Sequence, residues 1–354
     1  MVAARKKVVV AMSGGVDSAV AALLVARGGG QAVGVTLELW SDPENDGDLS
    51  CCSAQAVRSA REVAHRIGIP HLSIDLRAEF RAGVVGPWLD DQTAGLTPNP
   101  CVRCNGSVRL DAMLELADRL GSGALATGHY ARVHDGPLLR TAADERKDQS
   151  YVLSALAPES LARLVFPLGE MRKPQVRELA RQAGLQVAGR RDSQDLCFLA
   201  GTRQSAFLER HSGLGARSGP IIDSQGAVLG EHRGAHVFTV GQRHGLGIGG
   251  TDPLYVLQTD ARGNTVTVGP RSELLARAVA VREVTLHRDS GCVDGVRLRS
   301  HGQRFACRLA DRLAAGRHPR ASVDLDQPAE RTAPGQLACL YAGELVVGYG
   351  TVAA

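Results

Sequence analysis

The distribution of hydrophobic positions predicts that strands and helices alternate in the first part of the chain. The apolar run Val8–Val10 is followed by two glycines and then by a helical run of small apolar residues, 19–25. Further strands are predicted at 32–39, 70–75 and 124–127, and further helices at 53–67, 78–93 and 107–120. Such alternation favours an α/β fold with right-handed crossovers and a parallel sheet covered on both faces. Ligands of such sheets bind at the C-terminal ends of the strands.

The pattern changes twice in the second part of the chain. Residues 158–214 are predicted to be helical and are rich in basic side chains. Beyond about residue 220, short runs of alternating polarity predict strands at 235–240, 254–257 and 265–268. We therefore predict three domains: an α/β catalytic domain over 1–214, a small β-rich domain over 215–275 and a β-barrel over 276–354.

The residues between the first strand and the first helix predict a phosphate site. They read Ala-Met-Ser-Gly-Gly-Val-Asp-Ser. Gly14 and Gly15 allow the backbone to approach an anion, and the helix that follows directs its unpaired N–H groups to the same place. Ser13 and Ser18 supply hydroxyl groups. No Gly-Lys-Ser/Thr follows, so the loop is not of the Walker type.

Composition and charge narrow the class of protein. The chain has 354 residues, of which 44% are hydrophobic and 22% charged, as in globular proteins of two or three domains. The net charge is only +4, but the cationic excess lies in residues 151–354, which suits a phosphate-rich partner. No apolar run approaches about 18 residues, and the first residues lead straight into a strand without a signal-peptide core. We expect a cytoplasmic enzyme without a membrane segment.

The cysteines predict chemistry rather than a disulfide scaffold. Eight cysteines are too few for disulfides to stabilise a chain of this length. Clustered cysteines indicate catalysis or metal binding instead. Cys101 and Cys104 form a Cys-x-x-Cys between a loop with two prolines and a predicted helix, and Cys197 adds a distant third thiol. No second pair with zinc spacing is present. The isolated cysteines are expected to be small buried side chains: Cys292, Cys307 and Cys339.

Six motifs occur in one order along the chain. They are Ser-Gly-Gly-Val-Asp-Ser, Thr-Pro-Asn-Pro-x-x-x-Cys-Asn, Ala-Thr-Gly-His-Tyr, Lys-Asp-Gln-Ser-Tyr, Asp-Ser-x-x-x-Cys-Phe and Gly-Gln-Arg-His-Gly-Leu-Gly. From residue 8 to about 275 the chain resembles the MnmA-type tRNA-specific 2-thiouridylases of the PP-loop ATP pyrophosphatase superfamily, with a weaker similarity at 334–336. The resemblance implies a PP-loop domain, a small central domain and a C-terminal β-barrel, and a basic 158–214 segment that faces tRNA.

The resemblance also implies a reaction. ATP with Mg²⁺ adenylates O2 of the wobble uridine of tRNA and releases pyrophosphate, and sulfur transfer then gives 2-thiouridine and AMP. In that family the cysteine before Asn is the nucleophile and a distant cysteine carries a persulfide. These positions match Cys104 and Cys197, which pair in a transient disulfide, and the persulfide comes from a sulfur-donor protein, either a cysteine desulfurase or a sulfur relay.

Two alternatives stay open at this point. Cys101 stands where many family members have Asp, so Cys101, Cys104 and Cys197 could instead hold a [4Fe–4S] cluster through three ligands. PP-loop amidating or ligase-type synthetases of small molecules use the same ATP chemistry without thiols.

The resemblance assigns binding roles residue by residue. ATP contacts fall on the loop and two further positions: Ala11, Met12, Ser13, Gly14, Gly15, Val16, Asp17, Ser18, Leu37 and Gly128. Asp17 resembles the carboxylate that organises the nucleotide or Mg²⁺. Contacts to tRNA fall on Asn99, Pro100, Cys101, His129, Lys147, Asp148, Gln149, Ser300, His301 and Gln336. Ser300 and His301 match in position only, because the family has an Arg and an aromatic residue there.

Overall fold

The structure is a computed structural model that describes residues 7–42, 53–134, 136–190, 196–249 and 252–354. It divides into two compact units, the first comprising 1–85, 100–202 and 344–346 and the second 86–99, 203–343 and 347–354. The neighbouring Cys51 and Cys52 and the start of the Asp-Ser-x-x-x-Cys-Phe motif, 192–195, lie outside the described residues. The predicted division into three domains stays a prediction.

The strands and helices have the following bounds. The strands are β1 (Lys7–Ala11), β2 (Gln31–Glu38), β3 (His71–Asp75), β4 (Ala124–Ala126), β5 (Arg132–His134), β6 (Leu138–Arg140), β7 (Leu164–Val165), β8 (Gly219–Ile222), β9 (Val228–His232), β10 (Tyr255–Asp260), β11 (Thr265–Gly269), β12 (Leu275–Leu286), β13 (Gly295–Arg297), β14 (Arg304–Leu309), β15 (Gly316–Glu330), β16 (Leu337–Ala342) and β17 (Leu345–Val352). The α-helices are α1 (Val16–Arg27), α2 (Ala54–Arg66), α3 (Arg77–Phe80), α4 (Gly86–Thr93), α5 (Pro100–Cys104), α6 (Leu110–Arg119), α7 (Ser150–Leu153), α8 (Pro158–Leu161), α9 (Lys173–Gln182), α10 (Gln204–Ser212) and α11 (Arg271–Leu274).

The first unit is built on a five-stranded parallel sheet, as the alternation of strands and helices predicts. The strand order is β3-β2-β1-β4-β7, and each neighbouring pair is parallel. Strand β1 lies in the centre, with β2 on one side and β4 on the other. The chain thus runs from β1 outward through β2 to β3 and then returns to β4 on the other side of β1, and such a reversal predicts a crevice at the C-terminal ends of β1 and β4. This crevice is the expected ligand site of such a sheet.

Helix α1 packs tightly because its buried face is made of small side chains. Residues Ala19 to Ala22 are all at most 1% exposed, and all of them except Ala21 share a hydrophobic core with β1, α2 and α9. Small residues let the helix backbone approach its neighbours closely, which fixes where the helix begins. The start of α1 is thereby held at the crevice.

Two segments of the first unit differ from the sequence prediction. Residues 158–214 are not helical throughout, because Leu164–Val165 form strand β7 at the sheet edge beside β4. A ladder of two residues is too short to give a periodic pattern. The thiol-bearing helix begins at Pro100, whereas the pattern placed Cys101 and Cys104 before a helix. Proline fits the first turn of a helix, where its missing N–H is not needed.

The second unit contains a four-stranded sheet in the order β10-β11-β8-β9. The predicted strands near 254–257 and 265–268 are confirmed as β10 and β11. The run 235–240 is not a strand: Ala235–Val237 form a 3₁₀ turn. Asn264 explains the turn, since its Oδ1 accepts the Ala235 N–H at 3.0 Å, and Gly234 adopts a φ of +142°. A side chain from the turn between β10 and β11 thus overrides the local alternation.

The C-terminal strands of the second unit close into a barrel. The order is β12-β15-β14-β13-β16-β17, and β12 also pairs with β17, which closes the ring of six strands. The expected β-barrel is therefore confirmed. Cys307 and Cys339 are buried in it as expected, whereas Cys292 is exposed because it lies on a 3₁₀ turn outside the strands. Among the described residues, no helix is both long and apolar enough to cross a membrane.

Candidate active site

The glycine loop lies between β1 and α1, and hydrogen bonds from its own side chains stabilise its conformation. The Ser18 hydroxyl accepts the Ser13 N–H at 3.1 Å and donates to the Gly15 carbonyl oxygen at 3.0 Å. Gly15 is the N-cap of α1 and offers no capping side chain. The first N–H groups of the helix have no partners within the helix, so this end of α1 is suited to an anion.

Gly14 and Gly128 are positions that only glycine fits. Gly14 has a φ of +73°, and a Cβ there would come within 2.5 Å of the Ala56 carbonyl oxygen. A Cβ at Gly128 would come within 2.6 Å of the Ser18 backbone nitrogen. The chain leaving β4 therefore runs directly over the start of α1. Both glycines were assigned to nucleotide binding from the sequence, and that role stays a prediction.

The start of the loop is tied to the neighbouring strand. The Met12 N–H donates to the Val35 carbonyl at 2.8 Å, and the Thr36 hydroxyl donates to the Met12 carbonyl at 2.7 Å. His71 Nε2 lies 2.9 Å from the same hydroxyl oxygen. Because the Thr36 proton is used on Met12, His71 is the donor in this contact. The sequence assigned an ATP contact to Leu37, which is a buried residue of β2; that role stays a prediction.

An ion pair occupies the first turn of α1. Lys173 Nζ lies 2.8 Å from Oδ1 and 2.7 Å from Oδ2 of Asp17, and the Tyr130 hydroxyl donates to the same Oδ1 at 2.9 Å. The Lys173 residue is 8% exposed, and its ammonium lies 5.9 Å from the centre of the Tyr130 ring. The carboxylate that the resemblance assigns to the nucleotide or Mg²⁺ is thus neutralised by a buried lysine.

Side chains of the Lys-Asp-Gln motif form hydrogen bonds with the backbone near Tyr130. Gln149 accepts the Tyr130 N–H through its Oε1 at 2.9 Å. Asp148 is buried and accepts from the Ala142 N–H at 2.9 Å and from the Ser150 hydroxyl at 2.7 Å. These two side chains are therefore engaged with the protein itself. Their predicted role as tRNA contacts stays a prediction.

His129 is enclosed at the C-terminal end of β4. Its Nδ1 lies 2.8 Å from the Thr127 hydroxyl, and its ring meets the Phe166 ring edge to face with centres 6.4 Å apart. Burial, with a smaller contribution from the nearby Arg109, lowers the pKa of His129 to about 3. The ring is therefore neutral at physiological pH, so any contact with tRNA would not involve an imidazolium charge.

The first two thiols lie in one helical run. Helix α5 carries Cys101 and Cys104, and a π-helical turn, Asn105–Arg109, joins it to α6. Asn105 is buried and donates from Nδ2 to the Cys101 carbonyl at 3.0 Å. Cys104 is 9% exposed, whereas Cys101 is half-buried. A single rigid element thus holds both thiols, as the Cys-x-x-Cys spacing requires.

An aromatic cluster holds the segment that carries Cys197. Phe198 is 1% exposed, and its ring centre lies 6.4 Å from that of Trp40 and 6.2 Å from that of Phe80. Phe80 ends α3 and leads into a π-helical turn that packs against the one following Cys104. Gly83 of that turn would place a Cβ within 2.7 Å of the Val108 side chain. Cys197 is thereby anchored to the elements that hold the other thiols.

The three thiols do not form a metal site. Cys101, Cys104 and Cys197 are all among the described residues, and in that part of the chain no three His, Cys, Asp or Glu side chains are grouped so that they could hold a metal ion. A [4Fe–4S] cluster needs cysteine sulfurs converging on it. The cluster alternative is therefore not favoured by this geometry.

The barrel residues assigned to tRNA have different environments. The Gln336 side chain donates to the Thr97 carbonyl, and the Thr97 N–H donates to the Pro334 carbonyl at 2.8 Å. Gln336 thus holds the loop that leads through Asn99 to α5. Ser300 lies half-buried and His301 exposed in a turn between β13 and β14. Their tRNA contacts, and that of Asn99, stay predictions.

Comparison with known proteins assigns the chain to a family. Models described as tRNA methyl transferase HUP domain, tRNA methyl transferase PRC-barrel domain and aminomethyltransferase beta-barrel domain match residues 6–201, 205–270 and 289–352. A tRNA-specific 2-thiouridylase MnmA of Thermobifida fusca is 45% identical over 98% of this chain and 95% of its own length. The chain belongs to the family of MnmA-type tRNA-specific 2-thiouridylases. The MnmA of Geobacter metallireducens is 41% identical over 99% of this chain and 97% of its own.

A further relative of this family carries an additional part. The bifunctional protein NifU/MnmA of Rubrobacter xylanophilus is 45% identical over 99% of this chain, which covers 70% of that protein. The family expected from the ordered motifs is thus confirmed over almost the whole length.

Three residues at the loop escaped sequence reasoning. Lys173 and Tyr130 hold Asp17, and Arg190 donates from Nη1 to the Gly14 carbonyl at 3.0 Å. One signal for Lys173 was available: the chain has only four lysines, and it uses arginine at almost every other cationic position. For Tyr130 the signal was its position in Ala-Thr-Gly-His-Tyr. Arg190 is one arginine among many, so the sequence offers no comparable signal.

Proposed function

We propose that this protein is an ATP-dependent tRNA-uridine 2-sulfurtransferase that thiolates the wobble uridine of tRNA. The observation that carries the proposal is one unit that combines an anion-binding glycine loop at the switch point of a parallel sheet with thiols on α5 and next to Phe198. The family membership supports the same conclusion. A PP-loop synthetase of small molecules would need no thiols, so these residues favour sulfur transfer.

The first step is adenylation of uridine. O2 of the base attacks the α-phosphorus of ATP, the bond to the β-phosphate breaks, and pyrophosphate leaves. An oxygen that leaves poorly is thereby converted into a good leaving group, AMP. In this step the loop around Gly14 and Gly15 binds phosphate oxygens through backbone N–H groups, and the positive end of α1 stabilises their charge. Gly128 lets the chain after β4 approach the nucleotide.

Mg²⁺ fits this site through Asp17. Magnesium is usually held by one or two carboxylates together with phosphate oxygens and water, and Asp17 is the carboxylate in the first turn after the loop. When bound, the ion would neutralise phosphate charge. Both Asp17 oxygens contact Lys173 in this structure, so the carboxylate has to exchange partners before it serves an ion.

The second step moves sulfur. The terminal sulfur of a persulfide on Cys197 attacks C2 of the activated base, and AMP leaves with the former O2. The Cys104 thiolate then attacks the Cys197 sulfur and breaks the S–S bond. This step releases 2-thiouridine and forms a Cys104–Cys197 disulfide. An external dithiol reduces that disulfide, and a sulfur-donor protein reloads Cys197.

The partners follow from these steps. The tRNA is expected to contact the predicted residues and the basic 158–214 segment, and the cationic excess of residues 151–354 suits a polyanion. A cysteine desulfurase or a sulfur relay is the expected donor. A cytoplasmic location remains the expectation from the sequence.

The test is a sulfur-labelling assay with purified protein, ATP, tRNA and a cysteine desulfurase supplied with ³⁵S-cysteine. We expect ATP-dependent label in tRNA as 2-thiouridine, together with AMP and pyrophosphate. Omission of ATP should remove the label from tRNA, and Cys104→Ser should prevent the release of free 2-thiouridine in tRNA. Label that appears in a small molecule instead, or tRNA that stays unlabelled with the complete mixture, would refute the proposal.

A further inference from the structure

The contacts of the Lys173 side chain are poorly explained by a contribution to folding stability alone. Its ammonium is buried, makes two contacts with Asp17 and lies beside the Tyr130 ring. The Lys173 side chain is 10% exposed and that of Asp17 is 31% exposed, and an ion pair with a buried ammonium rarely adds net stability over apolar side chains of similar size, because desolvation offsets the attraction. Asp17 is in the first turn of α1, where the helix dipole already favours a negative charge. The pair therefore calls for a functional explanation.

The backbone of Lys173 is fixed, whereas its side chain is a long flexible stem. The Lys173 N–H donates to Asp144 Oδ2 at 2.9 Å, and the residue begins helix α9, which packs against α1. Lysine presents a compact charge with three donors and exchanges partners readily, whereas arginine favours one planar geometry. In a chain with only four lysines, a lysine at this place suits a cation that changes partner.

We propose that Lys173 is a phosphate-binding residue of the adenylation step. In the nucleotide-free protein it neutralises Asp17. When ATP and Mg²⁺ bind, Asp17 turns to the ion and the Lys173 ammonium passes to the phosphates, where it stabilises the negative charge that grows on the departing pyrophosphate. This inference rests on the proposed function, since it requires ATP at the loop.

A second role has to be separated from this one. If Lys173 only neutralises Asp17, Lys173 affects ATP affinity indirectly. That effect disappears once Asp17 carries no charge. If Lys173 contacts phosphate, its effect remains in a protein that lacks the Asp17 charge. A double-mutant cycle measures this difference directly.

The experiment compares wild type, Lys173→Met, Asp17→Asn and the double variant by calorimetric titration without tRNA. The ligands are ATP with Mg²⁺ and adenosine, which lacks phosphates. We expect Lys173→Met to weaken ATP binding about tenfold or more, because a charge-assisted phosphate contact is lost, and to change adenosine binding less than about twofold. The same ATP-specific loss should separate the double variant from Asp17→Asn.

Controls address charge and folding. Arg181→Met removes one cation from the exposed face of the same helix, where Arg181 pairs with Glu178, and should leave ATP affinity unchanged. If Lys173→Met leaves the Asp17 charge unpaired and fails to fold, the double variant removes both charges of the pair. Its comparison with Asp17→Asn then decides the question.

Two results overturn the inference. One is equal affinity of the double variant and Asp17→Asn for ATP, which would make Lys173 a partner of Asp17 only. The other is an equal loss of adenosine and ATP binding, which would indicate a distorted site. If wild type binds ATP no more tightly than adenosine, the proposed adenylation itself fails, and the inference fails with it.

Discussion

The glycine loop after β1 and the thiol-bearing helix α5 both belong to the first unit, yet different parts of the chain hold them in place. Within the loop, Ser13 and Ser18 bond to each other across five residues, and glycine supplies the unusual backbone conformation at Gly14. Helix α5 instead packs against the π-helical turn that follows α3, and the segment around Cys197 packs on Trp40 and Phe80.

The difference has a chemical reason. A phosphate site needs backbone N–H groups, which a single strand-turn-helix provides. In the proposed mechanism sulfur transfer uses two thiols that lie far apart in the sequence, Cys104 and Cys197. Local changes should therefore damage the loop, whereas changes in distant packing should damage sulfur transfer. The following predictions test that contrast.

The largest effect is expected at the two reacting thiols. Cys104→Ser and Cys197→Ser should each abolish 2-thiouridine formation, because one removes the nucleophile that frees the thiolated base from Cys197 and the other removes the sulfur carrier. Pyrophosphate release on tRNA should continue, since activation precedes transfer. The measurements are ³⁵S incorporation and pyrophosphate release.

Cys292→Ser is the matched control, because this thiol is exposed on a turn of the barrel and should be silent. Normal thiouridine yield from Cys197→Ser would show that the two-thiol mechanism is wrong. Cys101→Ala should weaken the reaction only modestly, as Cys104 and Cys197 still act.

The next effect tests the loop from within. Gly14→Ala should weaken ATP binding by about 30-fold or more, because a positive φ and a backbone clash with Ala56 together exceed about 2 kcal/mol. Gly123→Ala is the control, since this glycine lies outside the loop, its φ is not positive and a Cβ there would meet nothing within 4 Å. Titration with ATP measures both. Equal affinities of the two variants would contradict the proposed loop geometry.

A smaller effect concerns pH and the strand end beside the loop. The folded protein holds His129 neutral with a pKa of about 3, whereas the unfolded chain takes up this proton below about pH 6.5. The unfolded state thus binds more protons as the pH falls, so the free energy of unfolding decreases by up to about 1.4 kcal/mol per pH unit between about pH 6.5 and 3. Urea unfolding from pH 7 to 5 measures the slope.

His129→Gln should make that slope shallower. Part of the slope remains, because burial also lowers the pKa of His71, His232 and His236. An identical slope in wild type and His129→Gln would show that the ring is accessible to protons in the folded state.

The smallest effect tests distant packing at the thiols. Phe198→Leu removes the aromatic contact with Trp40 and Phe80 and should cost about 1 to 2 kcal/mol of stability. Sulfur transfer should slow about threefold to tenfold because Cys197 is held less firmly. ATP affinity should be unchanged.

Phe207→Leu is the comparison, because Phe207 is equally buried and packs on Trp88 at 6.0 Å in the second unit. It should lose similar stability without slowing sulfur transfer. Equal slowing in the two variants would mean that general destabilisation, and not the aromatic cluster, limits the reaction.

Part of the candidate site could be predicted from the sequence. The strand, glycine turn and helix were predictable because each depends on neighbouring residues, and Gly14 lies in the conformation that its motif requires. The start of α5 was misplaced, because Pro100 was interpreted as part of the loop when it opens the helix. Strand β7 and the turn at 235–237 were missed for a different reason. They depend on Leu125 beside Leu164 and on Asn264 beside Ala235, which are contacts between distant segments.

The sequence by itself determined the elements around the loop, the thiols at 101, 104 and 197, and through its ordered motifs the family. Those features rest on local conformational needs and on chemistry that particular residue types carry. Only the tertiary structure decided that Lys173 neutralises Asp17 across 156 positions, that His129 is buried and that Asp148 and Gln149 face inward. The order of strands in a sheet and the packing of α9 on α1 bring such residues together, and no periodicity along the chain records which distant side chains will meet.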